Sequence, residues 1–113
     1  MAEASAAQLD HIFHALSDST RRSILRRIAR RERAVGEIAR TYSMSLAAVS
    51  KHIQSLERAG LVTRRREGNF FYLRLNPRGM SAADKWMQFY KEFWDESLDK
   101  LKHFLENDDT EES

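Results

Sequence analysis

The chain has 113 residues, no cysteine and a net charge of +2; it is long enough for one domain with a modest core, and the lack of thiols excludes disulfides, thiolate redox switches and cysteine metal sites. No apolar run is long enough to span a bilayer. The small net charge hides a partition: residues 20–78 hold 15 Lys and Arg against four acids, while residues 1–19 carry three acids and no Lys or Arg, and residues 79–113 carry four Lys against ten acids. The middle of the chain is therefore the candidate phosphate-facing surface, and both ends are repelled from nucleic acid.

In chain order, Leu9, Ile12, Phe13 and Leu16 recur at i, i+3, i+4 and i+7, which predicts a first helix over about Ala6 to Leu16. Ser17-Asp18-Ser19-Thr20 is a stop-and-restart signal. Asp18 is the expected N-cap of a second helix to about Arg30, with Ile24, Leu25 and Ile28 inward. A short third helix covers about Val35 to Tyr42, with Ile38 and Ala39 inward. Ser43-Met44-Ser45 makes a turn, Ser45 caps a fourth helix to about Ala59, and Gly60 ends it.

The fourth helix has two faces. Val49, Ile53 and Leu56 point inward, while Ala47, Ser50, Lys51, Gln54 and Arg58 cluster opposite. That outer face suits a major groove. Ala47 and Ala48 are small enough for close approach and for contact with thymine methyls. Ser50 can bond a base edge or a phosphate, Gln54 can pair with adenine, and Lys51 can reach guanine or a phosphate.

Leu61 to Arg66 and Phe70 to Leu75 are expected as two strands around Glu67-Gly68-Asn69, where Gly and Asn tolerate the positive φ of a tight hairpin. Phe71, Leu73 and Leu75 are expected to pack on the helices. Arg64 and Arg66 share one face with Arg65 opposite. A basic hairpin after a recognition helix is a wing, able to lie along the DNA backbone or enter the minor groove.

The last helix is expected from about Ser81 to Leu105. Its Trp86, Tyr90, Phe93, Trp94, Leu98, Leu101 and Leu105, with Met87, Phe89 and Phe104 beside them, exceed what one small domain covers. Pairing of this helix and the first helix (Leu9, Ile12, Phe13) with their twofold mates is the expected solution. It would set two recognition helices about one DNA turn apart, over a palindromic operator. Residues 106–113, ENDDTEES, read as an acidic disordered tail.

The segments HALSDSTRRSILRRI (14–28), MSLAAVSKHIQSLERAGLV (44–62) and RREGNFFYLRLNP (65–77) resemble those of ArsR-family (ArsR/SmtB-type) winged helix-turn-helix regulators, over about residues 8–105. The resemblance implies a mainly α fold with a small β-hairpin: five helices plus a two-stranded wing, in a homodimer. It implies a single DNA-binding and dimerisation domain over 1–105 in a cytoplasmic, prokaryotic-type regulator, usually a repressor. Base and phosphate contacts are implied at Ser45, Ala47, Ser50, Lys51 and Gln54, with wing arginines on the backbone; Ala48, Arg64, Arg66 and Asn69 complete the expected DNA-binding set. Asn69 stands where many relatives carry a basic wing-tip residue.

Many relatives sense metals through a Cys-x-Cys box, but the matching segment here, Glu32 to Glu37, has no thiolate, so no sensor of thiophilic ions is expected. His103 and Glu106 share a helix face, but Asp84 is followed by Lys85 and Trp86, so the upstream Asp-x-His pair of the other family site is missing. A full zinc or nickel site needs about four ligands. His11 and His14 are read as ordinary surface or interface residues, and His52 as a packing or phosphate-contact residue. No metal, no cofactor and no catalytic residue is expected, and the opening MAEASAAQL has no signal-peptide pattern. The partners expected are double-stranded DNA and a second copy of the chain, with no membrane. An effector could be an organic ligand, a partner protein, or none. The alternative function is an interaction or structural module working through the aromatic last helix, or a non-specific DNA-coating protein.

Overall fold

A computed structural model describes residues 5–112, with side chains through residue 107. The elements are α1 (Ala6–Leu16), α2 (Ser19–Arg30), β1 (Arg33–Ala34), α3 (Val35–Thr41), α4 (Leu46–Arg58), β2 (Val62–Glu67), β3 (Phe70–Leu75) and α5 (Pro77–Glu112). The chain divides into two compact units, one up to Ala83 and one from Asp84.

In the first unit the helix starts are set by local side chains. Ser5 accepts from Gln8 N, Asp18 from Arg21 N and Ser45 from Ala48 N, each removing one orphaned donor at a helix N-terminus. α1 ends where its last carbonyls find arginine donors. Arg21 donates to Ala15 O at 2.8 Å and His14 O at 2.7 Å, and Arg22 to Leu16 O at 2.7 Å. The Asp-Ser-Thr-Arg-Arg run thus ends one helix and starts the next.

α4 stops in a Schellman turn: Gly60 N bonds Glu57 O and Leu61 N bonds Leu56 O, with Gly60 at φ +74° and Leu56 and Leu61 both buried. Gly60 is also where Gly79, near the start of α5, packs. A Cβ on Gly79 would fall on the Gly60 carbonyl, and Asn76 Nδ2 donates to the same oxygen at 2.8 Å.

The sheet has three strands in the order β1-β3-β2, both pairings antiparallel. The expected wing had two. The third strand, Arg33–Ala34, pairs only with Leu73 and Tyr72, so the hairpin beyond residue 72 projects past it. That explains a second correction. Leu73 is fully buried and Leu75 packs against the core, but Phe71 is 41% exposed, because alternation carries it onto the core-side face where no core remains beneath. At the turn only Gly68 has positive φ, +61°; Asn69 does not. Glycine first and a negative-φ residue second is the pattern of a type II′ hairpin.

The core joins Ile12 and Ala15 of α1, Ile24, Leu25 and Ile28 of α2, Ile38 of α3, Val49, Ile53 and Leu56 of α4, and Leu73 of β3. The apolar face of α4 is therefore anchored and its opposite face left outward.

From Asp84 the second unit is a helix whose aromatic side chains form a ladder. Ring centroids lie 5.9 Å apart for Trp86–Tyr90, 6.2 Å for Tyr90–Phe93 and 6.0 Å for Tyr90–Trp94. Tyr90, Phe93, Trp94, Leu98, Leu101 and Phe104 are all exposed. α5 begins at Pro77, four residues before the expected start, with proline at its first position. It continues to Glu112 rather than ending near Leu105. The side chains of residues 108–113 in the expected acidic tail lie outside the described residues.

Candidate nucleic-acid interface

The turn between α3 and α4 presents the start of α4 to solvent. The Ser45 hydroxyl accepts from Ala48 N at 3.1 Å, which leaves its O–H proton as a donor. Ala47, Lys51, Gln54 and Arg58 are exposed along one side, with Ala48 and Ser50 half-buried beside them. Lys51, Gln54 and Arg58 fall at i, i+3 and i+7, a single stripe. Arg58 joins the expected contact residues on this face, and its i+7 spacing from Lys51 is the sequence signal for it.

Charge pairing sorts the basic surface. The four acids of residues 20–78 are all engaged by arginines away from that stripe. Glu37 takes Arg31 at 2.7 Å and Arg33 at 2.8 Å, Glu57 takes Arg64 at 2.7 Å, and Glu32 and Glu67 both take Arg65. The Arg31 and Arg33 guanidiniums hold the Glu37 carboxyl below its ordinary pKa. The Glu67 and Glu32 carboxylates raise the already high pKa of Arg65. Among the described residues, Lys51 and Arg58 have no carboxylate partner. Their charge is available to an external anion.

The wing is less available than its composition suggests. Arg64 is tied to Glu57 and lies 5.4 Å from the Phe71 ring centroid. Arg65 is neutralised twice and lies over Tyr72 at 4.7 Å. Arg66 donates to Gly68 O at 3.0 Å and has no acid partner among the described residues. Register sets the aromatic neighbours, since Arg64 and Arg66 stand opposite Leu73 and Phe71 while Arg65 stands opposite Tyr72. Asn69 is exposed at the turn.

Among the expected interface residues, Phe13, Tyr90, Phe93, Trp94, Leu98 and Leu101 are exposed, Trp86 is half-buried, and Leu9 is packed partly against the core. Ile12 is 1% exposed. It serves the core of the first unit and shows no surface to a partner, because it faces the same side of α1 as Ala15. His103 bonds Asn107 at 3.1 Å. Among the described residues no three His, Cys, Asp or Glu side chains are grouped to hold a metal.

Residues 16–65 match a helix-turn-helix domain family. The chain is 37% identical to the HTH-type transcriptional regulator Rv2034 of Mycobacterium tuberculosis, over 89% of its own length and 94% of the relative's. This chain belongs to the ArsR-type family of helix-turn-helix transcriptional regulators. It is 32% identical to the transcriptional repressor SdpR of Bacillus subtilis, over 70% of this chain and 88% of that one. Its fold is similar to a crystal structure of an ArsR family transcriptional regulator, RHA00566, with TM-score 0.73, 31% identity and coverage of 83% and 97%. It is also similar to the homodimeric winged helix-turn-helix DNA-binding domain of Mb0332 from Mycobacterium bovis, with TM-score 0.62, 32% identity and coverage of 81% and 91%. The family's regulators are not enzymes, and among the described residues no helix of this chain is long and apolar enough to cross a membrane.

Proposed function

We propose that this regulator is a homodimeric repressor acting in the cytoplasm. Residues 1–105 act as its DNA-binding and dimerisation domain and hold a palindromic operator. α4 enters the major groove. Ser45, Ala47, Ala48 and Ser50 make close contacts at its N-terminal half, Gln54 reads a base, and Lys51 takes a phosphate or guanine. Arg64, Arg66 and Asn69 of the wing follow the backbone beside it. The observation that carries this reading is the unpaired cationic stripe of α4, left open while every acid of residues 20–78 is bound elsewhere. Repression is supported by the relative named a transcriptional repressor.

Dimerisation through Leu9, Phe13, Trp86, Tyr90, Phe93, Trp94, Leu98 and Leu101 is supported by the exposed aromatic ladder of α5 and by the homodimeric relative of known structure. Thiolate metal sensing is not part of the proposal, since the chain has no cysteine.

The test is selection of genomic fragments by the purified protein, with added divalent metal and with chelator. Enrichment of one short palindrome, indifferent to metal and surviving excess random duplex, is the expected result. No enriched sequence in either condition overturns the operator reading and favours an interaction module or non-specific DNA coating.

A further inference from the structure

An open hollow of about 410 Å3 lies between the end of α1, the start of α2 and the flank of α4, with His14, Arg21, Lys51, His52, Ser55 and Arg58 among its lining residues. Among the described residues no acidic side chain lines it. Arg21, one of the lining residues, is tied to Ala15 O, His14 O and, at 3.2 Å, His52 Nδ1. A guanidinium only donates, so His52 Nδ1 is the acceptor in that contact. Asp18 Oδ2 stands 3.8 Å from His52 Nδ1, but that oxygen already caps α2 through Arg21 N. Ser55 Oγ is buried without a hydrogen-bond partner among the described residues.

These side chains offer far more donors than acceptors. Lys51 and Arg58 bring two charges with no carboxylate to offset them. Arg21 brings a third, partly offset by the Asp18 carboxylate and held in place by its ties to backbone carbonyls. Two cations without a counter-charge on one concavity attract an anion, and a group with several acceptor oxygens matches the donors. We propose that this hollow is a seat for a phosphate-type oxyanion, held by Lys51, Arg58 and the His52 ring against the fixed Arg21 guanidinium. Such an oxyanion could be a backbone phosphodiester beside the major groove or a free phosphate. The first source rests on the operator reading above, and the second does not. A free anion seated there would occupy Lys51 and compete directly with DNA.

The chain has four histidines, and only His14 and His52 line the hollow, so His11 and His103 serve as internal controls. The experiment follows imidazole resonances of the full chain by NMR while inorganic phosphate replaces chloride at fixed pH and ionic strength, and separately while the selected operator duplex is added. Saturable shifts of His14 and His52, with His11 and His103 still, are expected with at least one probe. Movement with phosphate marks a seat open to free anions; movement with duplex alone assigns it to the backbone. In the duplex case, one methylphosphonate in the operator should weaken the native protein about tenfold, the worth of one charge-assisted hydrogen bond. The same substitution should weaken Arg58→Gln by a smaller factor, because one of the donors facing that phosphate is already gone. Motion of all four imidazoles together, or of none, with both probes overturns the seat. If no operator is selected, the phosphate titration still decides.

Discussion

Arg21 reaches Nδ1 of His52 at 3.2 Å and so couples the junction of α1 and α2 to the middle of α4. The same guanidinium holds two carbonyls at the end of α1. One side chain thus adds a polar tie between α4 and the elements behind it, beside the apolar packing of its core face. Arg21→Ala leaves those carbonyls and His52 without this partner and should cost about 1–3 kcal/mol. Arg21→Lys, a point donor without the guanidinium fork, should restore only part of it. Urea unfolding of the two variants checks this, and a loss under about 0.5 kcal/mol for Arg21→Ala, within the range of an ordinary surface substitution, would show that the network is incidental.

The contact between Gly79 and Gly60 makes a second, steric prediction. A Cβ at residue 79 meets backbone atoms of Gly60 and Leu61, which have no flexible end to yield. Gly79→Ala should therefore destabilise by about 1–3 kcal/mol, as overpacking does. Gly36→Ala is the control, since its nearest neighbour would be the Arg40 side chain at 3.6 Å. Within α3 it should be neutral or stabilising by up to about 1 kcal/mol. Equal melting temperatures for the two variants would contradict the close approach.

Much of this fold was legible because its signals are local. Asp18 and Ser45 announce helix starts by their own side chains, and Gly60 announces a stop by the φ it alone adopts cheaply. What was missed depended on distant partners. Arg33–Ala34 is a strand only because Leu73 and Tyr72 lie beside it. Phe71 continues a perfect alternation, yet β1 and the core end before reaching it. Pairing of Arg64 with Glu57 and of Arg65 with Glu32 and Glu67 could not be read from a run of three arginines, although it decides which of them keeps an uncompensated charge. The start of α5 was the exception: Asn76-Pro77 is a local signal, a polar residue before an N1 proline, and it was passed over in favour of Ser81.

Charge pairing ranks the cations. Lys51 has no carboxylate partner among the described residues, whereas Arg65 has two. If Lys51 contacts phosphate, Lys51→Ala should weaken binding to every duplex and lower the salt slope by about one. Arg65→Ala removes a charge already compensated at its own surface and should leave that slope nearly unchanged. Filter-binding affinities across a salt series measure both. An Arg65→Ala slope loss equal to that of Lys51→Ala would mean the ion pairs open on DNA.

Asp18 predicts an acid response. The hydrogen bond from Arg21 N, and the Coulombic pull of His52 and Arg21, hold its carboxyl below its ordinary pKa despite some desolvation. A carboxylate with a depressed native pKa binds its proton less readily folded than unfolded. Its contribution is therefore complete above the unfolded carboxylate range, about pH 4, and is lost as pH falls through the lower native value. Asp18→Asn keeps a capping oxygen without the charge. Relative to the native protein, its stability deficit should shrink as pH drops through that window. Urea midpoints at neutral pH and at acid pH test the sign, and a deficit that grows on acidification would reverse it.

The aromatic ladder of α5 supplies the last prediction. Trp94 is 47% exposed and its ring lies 5.9 Å from that of Phe93. Burying such a ring against a second copy is worth roughly 1.5–3 kcal/mol, and a carboxylate at the centre of that contact would be buried unpaired. Trp94→Glu should thus give monomers by light scattering with the helical circular dichroism kept. Tight binding to a palindrome should fall to the level of a half-site, because two recognition helices would no longer be linked. The half-site affinity of each α4 should survive, since Trp94 is not among the residues proposed to contact DNA. A dimeric Trp94→Glu protein with full operator affinity would place the twofold interface elsewhere than on this face of α5.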